Sequence, residues 1–171
     1  MATSPAFTYS MSLEVYLQGA VVRGLLVTSR DRLSNELILR AGDEVFSLTE
    51  ATIESLDCTP LLAGVADYLI YMQEVFCIAD LSPQATGLRP GSEHLYVKKE
   101  ANRVVVNAGP YWLRGNVHLA PGAPFQELFL SRGRFVPVTD AVMFKPICRK
   151  PRTYLVNRTK ISCLTAAGDV V

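Results

Sequence analysis

The chain has 171 residues, of which 49% are apolar and 19% are charged, and its formal net charge is +1. This composition can fill a core and excludes a disordered chain, and the length suffices for one ordinary domain or two small ones. A dedicated nucleic-acid binder usually carries a larger basic excess, so the charge argues against nucleic acid as the main partner but leaves room for a local basic patch.

The cysteines and the N-terminal segment predict a cytoplasmic protein without metal or cofactor. The chain has four cysteines, none at CxxC spacing, and two histidines. A structural zinc site needs four such ligands in close pairs. The N-terminus lacks a basic region followed by an apolar run, and acids interrupt the most apolar segment, 58–81. We therefore expect no signal peptide, no membrane span and reduced thiols.

The same sequence pattern occurs twice along the chain. A shift of 91 residues places Arg23-Gly24 on Arg114-Gly115, and small changes of offset bring further segments into register. The matching segments are ELIL (36–39) with ELFL (127–130), VFSLTEATI (45–53) with FVPVTDAVM (135–143), and YLIYMQEVFCI (68–78) with YLVNRTKISCL (154–164). The offset changes only where loops tolerate insertions. The pattern predicts an internal duplication.

The expected boundaries follow from this alignment. A first repeat occupies 1–81, and a second occupies 102–171. The residues between them, 82–101, form a linker rich in Pro and Gly whose end alternates like a strand.

Each repeat begins with a pattern that is typical of β structure. Leu13, Val15 and Leu17 alternate with polar or aromatic residues, which predicts a half-buried strand. Gly19 and Gly109 follow the first strand of their repeats and predict tight turns.

The next strands, 21–27 and 111–119, each contain an interior glycine. Gly24 and Gly115 predict a bulge or strong curl, and strong curling is how a small sheet closes into a barrel.

Later segments complete each repeat. SNELIL (34–39) and PFQELFL (124–130) are each a short helix or a third strand, and Pro124 favours the helix. Pro137 lies in a later strand and predicts an edge or bulge there, because it cannot donate a ladder hydrogen bond. The predicted fold is mainly β, with two tandem small barrels of about five strands, each with a short helix.

The first repeat resembles the Sm-like family of SH3-like barrels. Gly19, Gly24, Asp31 and Asn35 follow the order of that family's first motif, in LQGAVVRGLLVTSRDRLSNELIL. The segment YLV-NRTK-ISCL (154–164) stands where the second motif would lie, without its glycine. The resemblance implies a small barrel architecture.

The second repeat also resembles a group of uncharacterised bacterial proteins. The shared segment is GNVHLAPGAPFQELFLSRGRFVPVTDA, with a Phe-x-x-x-Thr-Asp-Ala strand, and the likeness covers about 50 residues. This resemblance implies no activity.

No residue combination in the sequence predicts catalysis, so we expect a protein that is not an enzyme. The repeated Thr-acid-Ala phrase (49–51 and 139–141) can hold an acid beside a hydroxyl, but its presence in both repeats favours a strand bend. His118 has no nucleophile near it in sequence. Cys77 and Cys163 occupy equal places in apolar strands, which predicts two buried small hydrophobes.

The second repeat is basic, whereas the first is comparatively acidic. In an Sm-like barrel, Asn157, Arg158 and Lys160 would lie in a pore-side loop and contact RNA, and Arg114 is a further candidate for anion or RNA contact. The same charges also fit a solvated basic face, or a face that meets the acidic repeat of a neighbouring chain. Trp112 is a candidate for base stacking, or for core or interface packing.

Two functions therefore remain open on the sequence. The first is a non-enzymatic binding or assembly module, whose partner is another protein or a second copy of the chain, because small barrels leave sheet edges that recruit strands. The alternative is an Sm-like module that binds RNA or a nucleotide through the basic second repeat.

Overall fold

A computed structural model describes residues 8–29, 33–34, 37, 42–82, 99–130, 133–146 and 149–167. These residues are mainly β, as the sequence predicts. The strands are β1 (Tyr9–Leu17), β2 (Ala20–Thr28), β3 (Val45–Ser55), β4 (Pro60–Tyr71), β5 (Cys77–Asp80), β6 (Glu100–Ala108), β7 (Tyr111–Leu119), β8 (Phe135–Lys145), β9 (Arg152–Asn157) and β10 (Ile161–Ala166). A helical turn, α1 (Glu127–Leu130), precedes β8, and short 3-10 helices (Met72–Glu74 and Arg158–Lys160) precede β5 and β10.

The ten strands form one antiparallel sheet in the order β10-β6-β7-β8-β9-β5-β1-β2-β3-β4. We call residues 8–82 the first half and residues 99–167 the second half. The second half has the order β10-β6-β7-β8-β9, and the first half has the order β5-β1-β2-β3-β4. In both halves the last strand lies beside the first, and the second, third and fourth strands follow, so the same five-strand order occurs twice. The predicted closure of each half into a barrel stays a prediction.

The expected domain boundaries also stay a prediction. Residues 83–98, most of the expected linker, lie outside the described part of the chain, and β6 begins at Glu100, within the linker's expected end.

Two buried apolar clusters form the core, and each half contributes residues to both. The first-half cluster contains the inward residues of β1 to β4, together with Leu155 of β9. The second-half cluster contains the inward residues of β6 to β9, together with Tyr16, Val21 and Cys77 of the first half. The halves therefore share their hydrophobic cores.

The prediction of a half-buried first strand is wrong for β1. Leu13 and Val15 are buried on one side as expected, but Glu14 and Tyr16 on the other side are buried as well. Residues of the second half cover that other side, including Arg152, which binds Glu14. Alternation along one strand carries no information about a cover supplied from 138 residues away.

The two interior glycines lie where neighbouring strands approach closely, as the sequence predicts. A Cβ atom on Gly24 would lie 2.9 Å from the Cβ of Leu48, and a Cβ atom on Gly115 would lie 2.6 Å from the Cβ of Ala141. The pairing register shifts at both glycines, between β2 and β3 and between β7 and β8. Each strand therefore bends at a position that has room only for hydrogen.

The repeated Thr-acid-Ala phrase forms a bend in both halves. Glu50 and Asp140 have φ of 52° and 49°, in the left-handed region that few residues other than glycine adopt. The neighbouring hydroxyls of Thr49 and Thr139 donate to backbone carbonyls across the strand, each over 3.4 Å. The phrase is therefore a structural feature of β3 and β8.

Other local predictions are confirmed where the chain is described. Gly19 and Gly109 have positive φ in the hairpin turns, and residues 127–130 are helical. Pro137 lies beyond the last pair between β7 and β8, so no β7 residue requires its missing N–H. The helix-or-strand question at Glu36 lies outside the described residues.

We expect Gly115→Ala to lower the free energy of unfolding by about 1–3 kcal/mol, because the added methyl group overlaps Ala141 and the backbone of β8. Urea denaturation measures this change. Gly42→Ala is the matched control, because nothing lies within 4 Å of a Cβ at Gly42. Equal effects of the two substitutions would contradict the close-approach explanation.

Candidate functional site

The two halves meet through a strand pairing between β5 and β9, which we call the junction. Cys77, Ile78 and Ala79 of β5 lie opposite Val156, Leu155 and Tyr154 of β9, respectively. The N–H of Asn157 extends the pairing by donating to the carbonyl of Phe76 over 2.8 Å. The junction therefore joins the last strand of the first half to the fourth strand of the second.

Asn157 fixes the end of the junction. Its side chain is fully buried, and its amide donates to the carbonyl of Val75 over 2.8 Å. Its Oδ1 accepts hydrogen bonds from the N–H and the hydroxyl of Thr159, at 3.2 and 2.9 Å. Asn157 thus caps the 3-10 helix before β10. Its bond to Val75 also contacts the end of the equivalent 3-10 helix of the first half, Met72–Glu74. These bonds occupy the side chain that the sequence suggested for RNA contact.

An ionic network around the buried Glu14 crosses the junction. Glu14 is 3% exposed and accepts hydrogen bonds from Tyr16 at 2.6 Å, Arg23 at 2.8 Å and Arg152 at 3.0 Å. Arg23 also binds Glu54. Burial by itself would raise the pKa of Glu14, but the hydrogen bonds from Tyr16 and Arg23 and the charges of Arg152 and Arg23 lower it overall. Glu14 is therefore a carboxylate held between arginines of both halves.

An aromatic cluster packs beside this network. Tyr16 makes edge contacts with Tyr111 and Tyr154, with ring centroids 5.4 and 5.8 Å apart. The hydroxyl of Tyr111 donates to the carbonyl of Leu17 over 2.6 Å, so a second-half side chain closes the β1–β2 hairpin of the first half. Burial raises the pKa of Tyr154 to about 12, so this ring remains neutral at physiological pH.

The other predicted contact residues lie in two places. Arg158 and Lys160 follow β9 beside Asn157, whereas Arg114 lies exposed on β7. Arg158 donates to the carbonyl of Phe129 over 3.0 Å, and the Lys160 ammonium lies 5.1 Å from the ring centroid of Phe76.

The candidate catalytic residues His118 and Cys77 lie in separate places. His118 lies 2.8 Å from the hydroxyl of Thr139, on the exposed face of β7 and β8. Cys77 is fully buried, and burial raises the pKa of its thiol well above the ordinary value, which disfavours the nucleophilic thiolate. Within the described residues, no three His, Cys, Asp or Glu side chains are placed to hold a metal ion.

The burial prediction for Cys163 is wrong, and the reason defines the candidate interaction surface. Cys163 is exposed because β10 lies at one end of the sheet, whereas Cys77, at the equal place, is covered by β9. At the other end, Leu69 of β4 is 66% exposed, whereas Leu155, its equal in β9, is 6% exposed. We call β4 and β10 the open edges, because neither has a second strand neighbour among the described residues.

Sequence reasoning missed the Glu14 network and the sharing of cores. An acid at an alternate position of an apolar strand ordinarily indicates solvent. Nothing in the spacing links Glu14 with Arg152. The signal that was available is the β1–β2 hairpin, whose register places Glu14 opposite Arg23.

The chain matches no model of a known protein family, and no curated protein and no solved structure matches it. The two resemblances noted in the sequence therefore stay predictions. Among the described residues there is no helix of the length and apolar character needed to cross a membrane.

We expect Glu14→Gln to reduce the dependence of stability on pH. The pKa of Glu14 is lowered in the folded state, so its carboxylate stabilises the fold above the ordinary pKa of 4.5. That contribution is lost as the pH falls below 4.5 and through the lowered folded-state pKa. Urea denaturation from neutral pH downward should show a shallower acid loss in the variant than in the native chain.

Glu74→Gln is the control for this measurement, because Glu74 is an exposed glutamate outside the network. The role of Glu14 would be refuted if both variants lost stability on acidification as steeply as the native chain.

Proposed function

We propose that this chain is a non-enzymatic assembly module, built from two copies of a five-strand barrel-like unit, that self-associates through its open edges. One observation carries the proposal. The two halves are joined by pairing β5 with β9, and the strands that correspond to these two, β10 and β4, lie at opposite ends of the sheet that the described residues form.

Several features of the two halves support the duplicated unit. The strand order is the same in both halves. The interior glycines Gly24 and Gly115 closely approach the equivalent strands β3 and β8, respectively. Glu50 and Asp140 adopt the same left-handed bend. We therefore expect the strand edges that pair within the chain, at the junction, to have equivalents that pair between chains.

The composition of the open edges also supports association. An exposed strand edge offers unpaired N–H and C=O groups, and proteins that avoid association usually blunt such edges with lysine, proline or bulges. The sequence of β10, ISCLTA, contains neither lysine nor proline, and its register shift against β6 lies between Ile161 and Cys163, before Leu164. β4 carries Leu61, Leu62, Leu69 and Tyr71, each at least 56% exposed, and its one proline, Pro60, is its first residue. Both edges are therefore suited to receive another strand.

We expect Leu69→Asp to weaken self-association by about tenfold or more, because it would place an unpaired carboxylate in an apolar strand interface. Light scattering over a concentration series measures the change. Leu62→Asp is the matched control, because Leu62 is similarly exposed on β4 but lies outside the part that aligns with β9. A native chain that stays monomeric at high micromolar concentration would overturn the proposal.

RNA binding by the second half is the alternative proposal, and the exposed Arg114 beside the exposed Trp112 on β7 favours it. Arg114→Ala should then weaken binding of single-stranded RNA and reduce the slope of log affinity against log salt by about one. Filter binding at several salt concentrations measures both quantities, with Lys99→Ala as an exposed control. Absence of binding at low salt would dismiss this alternative.

A further inference from the structure

We infer that the copies join head to tail, with β10 of one chain pairing antiparallel with β4 of the next in the register of the junction. This inference rests on the proposed function, and it names the partner of each open edge. We call this pairing the inter-chain joint.

The junction supplies the register of the inter-chain joint. The alignment of YLIYMQEVFCI (68–78) with YLVNRTKISCL (154–164) gives equivalents to all junction residues except Ala79, which the same offset places on Thr165. Ile78 lies opposite Leu155 in the junction, so Leu164 should lie opposite Leu69 in the joint. By the same correspondence, Thr165 lies opposite Tyr68.

The apolar contact at the centre of the junction has its counterpart in the joint. Leu155 of β9 packs beside Ile78 in the first-half cluster and is thereby reduced to 6% exposure. Leu164, the equivalent of Ile78, already packs against the second-half cluster. Leu69 of a neighbouring chain would extend that cluster in the same way, and its 66% exposure would be lost.

Near the junction a large side chain of the second half packs in one cluster with a small one of the first half, and at the equivalent positions of the joint the two sizes are reversed. In the junction, Tyr111 from the second half reaches the β1–β2 hairpin, and the small Val21 is buried in the same cluster. Their equivalents in the joint are Ala20 and Trp112. The large and small side chains thus exchange places, so the summed volume is similar. This exchange explains why Trp112 is 37% exposed in the single chain.

The ionic network of the junction has no counterpart in the joint. Glu14 and Arg152 correspond to Val105 and Ala66, which are both uncharged. The joint therefore lacks the ion pair that crosses the junction, and of these network residues only the equivalent of Arg23, which is Arg114, keeps a basic charge. The ion pair distinguishes the internal pairing from the pairing between chains.

The two open edges differ from one another, so the joint is heterologous. Such contacts generate a closed ring where the rotation between copies closes, and an open filament where it does not.

Disulfide mapping tests the joint directly. In a background with Cys58, Cys148 and Cys163 replaced by Ser, one preparation carries Leu69→Cys and another carries Leu164→Cys. Oxidation of the mixture should give a crosslinked dimer, and oxidation of either preparation alone should give none.

Ser162→Cys, mixed with Leu69→Cys, is the register control, because it is displaced by two residues along β10. We expect roughly tenfold less crosslinking for it, because Cα atoms more than ~7 Å apart cannot be bridged without backbone movement. A crosslinked dimer from Leu69→Cys alone or from Leu164→Cys alone would overturn the head-to-tail arrangement in favour of like-edge pairing.

Native tryptophan fluorescence provides a second readout that needs no cysteine variant. Trp112 is the one tryptophan of the chain. Its emission should shift to shorter wavelength as the concentration rises, and Leu69→Asp should abolish the shift.

The outcomes separate the two proposals. If light scattering detects association but neither the crosslink nor the emission shift occurs, the joint is wrong and the assembly proposal stands. If the native chain does not associate, both are wrong.

Discussion

Backbone hydrogen bonding at sheet edges is the constraint on which the rest of this structure depends. A strand at the end of a sheet leaves half of its N–H and C=O groups without a strand to pair with. The chain meets this constraint internally by placing β9 on β5, and every feature of the junction follows from that pairing. Glu14 and Tyr16 are buried and Arg152 is partly buried because the strands that carry them are brought together. The sharing of core residues has the same origin.

Much of the local structure could be predicted because its causes lie within a few residues. The turn glycines, the interior glycines Gly24 and Gly115, and the strand positions of the Thr-acid-Ala phrase all reflect backbone geometry that the residue itself permits or restricts. The repeat alignment placed Cys77 and Cys163 at equal positions of the equivalent strands β5 and β10.

What could not be predicted depends on contacts between distant segments. Glu14 has the pattern of a solvent-facing residue that pairs with Arg23 across the hairpin, and its second ion pair, with Arg152, comes from 138 residues later. The unequal burial of Leu69 and Leu155 likewise follows from the order of strands in the sheet. A sequence pattern specifies which face of a strand is apolar, but it does not specify how many faces will be covered.

The sharing of cores also has a consequence for synthesis on the ribosome. Tyr16, Val21 and Cys77 are complete early in translation, yet the cluster that buries them contains residues of β9 that emerge much later. Until Tyr154 and Val156 leave the exit tunnel, the nascent first half presents both an unpaired β5 and an uncovered apolar surface. A truncated chain that ends before Arg152 would keep that surface permanently. β9 is therefore the segment, synthesised late, that pairs with β5 and covers the apolar surface of the first half.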